Sequence, residues 1–414
     1  MPTVSKTAAV GAVERLIAHP RLPLLAGLDA ERPAVHLLSP APGGGAVRRI
    51  TTVGGESEPY GDAFGWERYR RTPAAAWHPV EPVLVVSGEE YAVRLTPSGT
   101  EAAEGVRAGC RDLAFHPDGR TLWVSPSAAA DGADVVEGTD RTDVVDVATG
   151  RVTRAPWWDT GVAQHPAGGL LLTFRSDQGA TLGLFARPAS DGGGAMHVLR
   201  RALVLDVDGY ETPVFSPDGR HFAIRGNAYG NTLEVFAFPS LRREMRAVLG
   251  EPSPGYPYPQ EWLDGMQAWS RQNLAYTAEG LWVGTPEGTL LQIDVASGEA
   301  VTHDLLDGAR ITALASTASG ALAVATARGE LATVEIEGAG APSAPPSREP
   351  VDAFLAGTAE VADPWADPWA QEGLVLTDGD RTWESSDLDE VTESSPADPG
   401  WLQIQSFMNQ ARRD

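Results

Sequence analysis

Two copies of one short sentence constrain the fold more than any other feature of the chain. Pro213-Val-Phe-Ser-Pro-Asp-Gly-Arg-His-Phe-Ala-Ile-Arg225 and Leu113-Ala-Phe-His-Pro-Asp-Gly-Arg-Thr-Leu-Trp-Val124 both place a tight-turn tripeptide between two short apolar runs. Proline presets φ for the first turn position, aspartate bonds its own backbone, and glycine accepts positive φ, so each run predicts a β-hairpin. Weaker versions recur. His19-Pro20 leads into Leu24 to Ala26, His78-Pro79 into Val83 to Val86, and His165-Pro166 into Leu170 to Thr173. Thr277-Ala278 and Thr317-Ala318 precede Leu281 to Val283 and Ala321 to Val324, which brings the anchors to seven.

From the second anchor onward the spacings are 38, 49, 51, 61 and 40 residues. The shorter ones match the ~40–50-residue period of a four-stranded propeller blade, and the longer ones require insertions. Within the repeats, Val144 to Val152 and Leu291 to Ala300 each read as a third strand, a glycine-closed turn and an outer fourth strand, with apolar and polar residues alternating. The seventh repeat stops after its third strand, Leu331 to Ile336, because a Gly/Ala/Pro/Ser run follows. A missing outer strand leaves an open edge, so Thr3 to Val10 is predicted to pair there and close the propeller.

Composition agrees with many short strands: 45 Gly and 32 Pro punctuate a chain that is 42% hydrophobic. A formal net charge of −24 argues against a nucleic-acid partner, since phosphate binding needs clustered Lys and Arg. Cys110 stands alone, so no intrachain disulfide can form. Met1 to Pro20 lacks a basic region followed by an apolar run, and no stretch approaches membrane-spanning length, from which a cytoplasmic protein without a membrane partner is expected.

The Phe-x-Pro-Asp-Gly-Arg hairpins and the Asp146-Val-Ala-Thr-Gly-Arg151 turn resemble the WD-repeat and YVTN/TolB-like group of β-propellers over residues 3 to 337. No repeat carries Trp-Asp at its third-strand end, and no Gly-His precedes a first strand. The resemblance implies a rigid all-β disc, a seven-bladed propeller of four-stranded antiparallel blades, that binds other proteins. The wider group also contains lactonase-like hydrolases and propellers that bind small ligands or peptides, but no catalytic residue carries over to a position here.

Three insertions stand out: Glu56 to Thr72, Ala128 to Asp143 and Gly250 to Asn273. The strand assignment brings all three to one face. They carry Tyr60, Phe64, Trp66, Tyr69, Tyr256, Tyr258, Trp262 and Trp269, interleaved with Arg68, Arg70, Arg71 and Arg271. Aromatics with arginine are the composition of binding hot spots, whereas rings that pack on one another to keep long loops folded give the same composition without a partner.

Other constellations carry less. His19, His78, His116 and His165 fall at equivalent places in different repeats, too far apart to converge on a metal. Asp206-Val-Asp-Gly-Tyr-Glu211 lacks the later ligands of a calcium loop, and the Gly43 to Gly45 and Gly192 to Gly194 runs lack the Lys-Ser/Thr of a phosphate cradle. No nucleophile elbow is present. No cofactor, metal or catalytic set is therefore expected, and Cys110 reads as a buried filler.

Residues 338 to 414 differ from the rest. From Glu337 onward there are 16 Asp or Glu against four Arg. With much Pro and Ser, this is a largely disordered acidic tail that cannot fold alone. It nevertheless holds Trp365 and Trp369 in a tandem Ala-Asp-Pro-Trp repeat. Near its end, the segment Trp401 to Gln410 would as a short helix share Trp401, Ile404 and Met408 or Phe407 on one face. Trp365, Trp369, Trp401 and Phe407 are accordingly expected to dock, either on a partner or back onto the propeller. The function expected from sequence is a non-enzymatic interaction scaffold or regulatory subunit.

Overall fold

The computed structural model describes residues 2–40, 46–96, 98–125, 141–156, 161–177, 179–189, 194, 196–227, 229–337, 346–363 and 373–413. Its strands form seven sheets, six of four strands and one of six, and the fold is a seven-bladed β-propeller. By internal contacts the chain divides into two compact units, residues 1–154 with 253–345, and residues 155–252 with 346–414.

The larger unit holds five blades. Blade 1 runs Val13–Ala18, Leu25–Asp29, Val35–Pro40 and Val47–Val53, and blade 2 runs Ala74–Trp77, Leu84–Ser87, Ala92–Thr96 and Gly99–Ala102. Blade 3 has Asp112–Phe115, Thr121–Ser125, Arg141–Asp146 and Val152–Pro156, the last strand crossing the unit boundary. Blade 6 is Leu274–Thr277, Gly280–Gly284, Thr289–Ile293 and Ala300–Asp304. Blade 7 has Ile311–Ser316, Leu322–Thr326 and Glu330–Glu335, and its fourth strand is Thr3–Ala9 from the start of the chain. That strand pairs antiparallel with Glu330–Glu335, from Thr3 opposite Glu335 to Ala9 opposite Glu330, as the missing outer strand required. Second strands such as Leu84–Ser87 and Leu322–Thr326 are buried on both faces, between neighbouring sheets, and so read as unbroken apolar runs.

Histidines at the first hairpins fix the spacing of successive blades. In blade 1 the Nδ1 of His19 accepts the amides of Arg21 and Leu22, each at 3.0 Å, while its Nε2 donates to the carbonyl of Glu81 at 2.8 Å in the matching turn of blade 2. Its ring meets Trp77, the aromatic just before the next His, edge-on at 5.1 Å. His78 repeats the pattern, accepting from Val80 and Glu81 and meeting Phe115 at 5.3 Å. A Cβ on Gly119 would lie 2.1 Å from the His78 Nε2, and its φ of +74° is left-handed, so that turn needs glycine twice over. Where histidine is absent the same acceptor is a hydroxyl: Thr277 Oγ1 takes the Glu279 amide at 3.2 Å. Burial holds the His19 imidazole below the ordinary histidine range, which keeps it neutral and suits a ring that accepts at one nitrogen.

The smaller unit holds two blades and most of the tail. Blade 4 begins Ala163–Gln164, Leu171–Asp177, Ala180–Pro188 and Met196–Asp206, and blade 5 is Val214–Phe215, His221–Asn227, Gly230–Ala237 and Arg243–Val248. His165 joins them as His19 joins the first pair, with Nε2 donating to Gly219 O at 2.9 Å.

Composition alone predicts a tail unable to fold by itself. In its described residues it folds on the template of these two blades. The outer strand of blade 4 is eleven residues long, and the tail strand Val375–Thr377 pairs with it in parallel, Ala202 opposite Leu376. Thr382–Glu384 then pairs antiparallel with that strand, which completes the six-stranded sheet. Before them, a helix at Glu349–Ala356 sends Val351 and Phe354, three residues apart and both 1% exposed or less, into the aromatic core between blades 4 and 5. Leu374, Leu376, Trp401 and Leu402 cover the other face of blade 4, against Leu182, Leu184, Ala202 and Val204. Backbone groups that composition leaves unpaired are satisfied by an existing sheet edge.

Candidate interaction surface

In the insertion after blade 1, a helix at Gly65–Arg71 (α1) places Arg68 and Arg71 three residues apart, hence on one face. Both face inward. The Arg68 guanidinium lies 3.2 Å from the centroid of the Tyr60 ring, bonds Glu14 Oε2 at 2.5 Å and donates to Ala30 O at 3.0 Å. Arg71 donates to the carbonyls of Glu58 and Pro59, at 2.9 and 3.0 Å, and lies 3.8 Å from Glu89. Tyr60 is only 4% exposed, and its amide donates to Glu31 O at 2.9 Å. Burial pushes its hydroxyl up to about 12 and raises the Glu14 carboxyl, while Arg68 pulls Glu14 the other way.

Tyr60 is thus a correction to the expected surface: it is the peg on which the insertion is hung. The outward side of the same insertion carries Phe64, 77% exposed at the N-cap of α1, and Tyr69, also exposed. Trp66 lies on α1, but its side chain falls outside the described residues. Sequence reading missed the role of Glu14, because it lies 54 residues from Arg68 on the inner strand of blade 1.

Arg68→Ala would strip Tyr60 of its cation and leave Glu14 without its partner. With the pair partly exposed, at 22% and 33%, the expected loss is about 1–2 kcal/mol. Chemical denaturation would read it, and an unchanged midpoint would refute the role assigned to Arg68. Arg68→Lys should recover only part of the loss, since an ammonium keeps the charge but not the flat stacking surface.

The insertion before blade 6 is built differently. Residues 251–257 are exposed throughout, and Tyr256 reaches 89%. Tyr256 meets Tyr258 edge-on at 6.0 Å, and Tyr258 stacks on Trp262 at 4.9 Å with the rings 24° apart. Trp262 belongs to a helix at Gln260–Ala268 (α2), which has no buried residue. Trp269 follows at its C-cap, half-buried. Beyond it the segment is bolted down: Ser270 Oγ donates to Thr312 O at 2.5 Å, Leu314 N to Gln272 O at 2.8 Å, and Asn273 Nδ2 to Gly284 O at 2.7 Å. The third insertion lies outside the described residues from 128 to 140.

In the smaller unit the tail aromatics separate. Trp365 and Trp369 lie outside the described residues. Trp401 is 6% exposed, meets Trp383 edge-on at 5.1 Å, and donates its amide to Asp206 Oδ1 at 3.3 Å. Of the two expected docking modes, on a partner or back onto the propeller, Trp401 takes the second, as a buried anchor of the tail. Phe407, on the same helix, is 71% exposed.

Among the described residues no group of three His, Cys, Asp or Glu converges as a metal site would, and no helix is long and apolar enough to cross a membrane. Cys110 is buried at the foot of blade 3, and burial pushes its thiol up to about 12, far from a nucleophile's range.

No protein-family model matches the sequence, and no curated protein is significantly similar to it. Among solved structures the chain is similar to the β-propeller domain of Cps50 (Swd1) from Myceliophteria thermophila. The match has a TM-score of 0.53 and 11% identity, and covers 81% of this chain and all of that domain. At that identity the likeness concerns the fold alone, that of a β-propeller.

Proposed function

We propose that the chain is a non-enzymatic interaction scaffold that binds other proteins through the aromatic insertions of its larger unit. The observation that carries this reading is α2 with its approach: nineteen residues from Ser253 to Arg271 that include a helix burying nothing and a tyrosine 89% exposed, fixed at their C-terminal end to blades 6 and 7. Rings that served only to fold their own loop would face inward, as Tyr60 does. Phe64, Tyr69, Tyr256 and the Tyr258–Trp262 stack instead present large, stiff aromatic area at low entropic cost.

Phe64→Ala and Tyr256→Ala remove exposed rings and should leave the melting temperature unchanged. A partner recovered from native extract by the parent protein is expected to bind each variant about 30-fold more weakly, the cost of a hot-spot aromatic. Equal affinity for parent and both variants would sink the assignment.

A further inference from the structure

His165 is buried, 2% exposed, where blade 4, blade 5 and the tail meet. Both of its ring nitrogens are committed. Nδ1 accepts the Ala167 amide at 3.2 Å within the first turn of blade 4, and Nε2 donates to Gly219 O at 2.9 Å in the matching turn of blade 5. A backbone amide can only donate, so this geometry admits the neutral imidazole with its proton on Nε2 and no other form. Protonation would set an N–H against the Ala167 N–H and place a cation among buried rings.

Two contacts tie these turns to the tail. Phe238, 4.9 Å from the His165 ring, lies 5.2 Å from Phe354 of the tail helix Glu349–Ala356. Arg348, the N-cap of that helix, packs so closely on the blade 4 turn that a Cβ on Gly169 would lie 2.2 Å from its Nη2. Arg348 opposes a proton on His165, and its own charge is shared with Asp352 at 3.2 Å. From blade 5, Asp218 favours that proton, as does the bond to Gly219 O, but the Asp218 carboxylate is already engaged by the Ser216 hydroxyl at 2.6 Å and the Arg220 amide at 3.0 Å. On the tail side Arg201 stands over the Phe354 ring at 5.2 Å, a further cation near the same core. Burial outweighs the rest and holds the His165 imidazole below the ordinary histidine range.

We infer that His165 is a proton-controlled latch on the tail: neutral, it holds together the two turns on which the tail helix is seated, and charged, it loosens them. A base that is harder to protonate in the docked state binds fewer protons there than in the released one. Docking is therefore at full strength above about pH 6.5 and weakens as the pH falls below it. With a single proton involved, the loss approaches about tenfold per pH unit.

Amide hydrogen exchange of residues 349–356 in the full chain, corrected for the intrinsic effect of pH on exchange, should show protection about tenfold lower at pH ~5.5 than at pH ~7.5. His165→Gln supplies a donor and an acceptor that do not titrate, and should show equal protection at both values. Should that variant not fold, the His165 ring resonances of the parent, assigned through their contacts with Phe215 and Phe238, decide instead. They are expected to titrate below 6.5. Parent protection indifferent to pH, a variant that keeps the parent's change, or a His165 midpoint at or above 6.5 would overturn the proposal.

Discussion

Phe354→Ala is expected to destabilise the protein by about 3–5 kcal/mol, the cost of emptying a fully buried phenylalanine site. Phe354 comes from the tail yet sits 4.9 Å from Phe185 of blade 4 and 5.2 Å from Phe238, just beyond the third strand of blade 5, with Arg201 over its ring at 5.2 Å. Val351, one turn earlier, is equally enclosed. The space these side chains fill lies among Leu172, Leu203, Phe222 and Phe236, which are fixed by their own strands and cannot close over a void. Urea denaturation followed by intrinsic fluorescence would measure the loss. Phe407→Ala, the same truncation on the exposed side of the C-terminal helix Gly400–Arg413, should stay within about 0.5 kcal/mol of the parent. If the tail were an appendage, the two variants would behave alike.

The blades were legible because their signals are local. Pro-Asp-Gly at 117–119 and 217–219 dictates its turn from three residues, and the His-Pro anchors repeat at blade spacing whatever the rest of the chain does. The closing strand was legible by counting, since a propeller one strand short must find the strand elsewhere. Where the tail docks was not legible, because it depends on an edge belonging to another segment. Parallel pairing of Val375–Thr377 needs the long outer strand Met196–Asp206, and nothing in residues 373–384 announces that partner. Helical spacing put Trp401, Ile404 and Met408 or Phe407 on one face, but the structure separates Trp401 from the other three. Spacing could not show that Asn409, bonded to Leu388 and Val391, would rotate those three outward while Trp401 turned in. The aromatic insertions divided for the same reason: Tyr60 goes inward because Arg68 reaches it from α1 and Glu14 from an inner strand, a convergence of three separate segments.

Removal of residues 1–10 is expected to cost about 4 kcal/mol and to make the chain aggregate. Six residues of Thr3–Ala9 are in register with Glu330–Glu335, and Val10, 1% exposed, packs beside Leu16, Leu25 and Leu331. Val10 also donates to Gly329 O at 2.9 Å. Several net hydrogen bonds at about 0.5–1.5 kcal/mol each, with one buried valine, give the estimated loss. The larger consequence follows from what is uncovered. Glu330–Glu335 would become an edge strand whose Leu331 and Val334 are apolar, with no proline or bulge to blunt it, and such an edge templates pairing between chains. Light scattering during a thermal ramp should therefore rise earlier in the truncated chain than in the parent. A peptide spanning Thr3 to Val10, added in excess, should delay that rise by occupying the edge, as strand addition does elsewhere. A truncated chain that melts with the parent and stays monodisperse would mean that blade 7 is held by its neighbours alone, and that pairing with Thr3–Ala9 contributes register without stability.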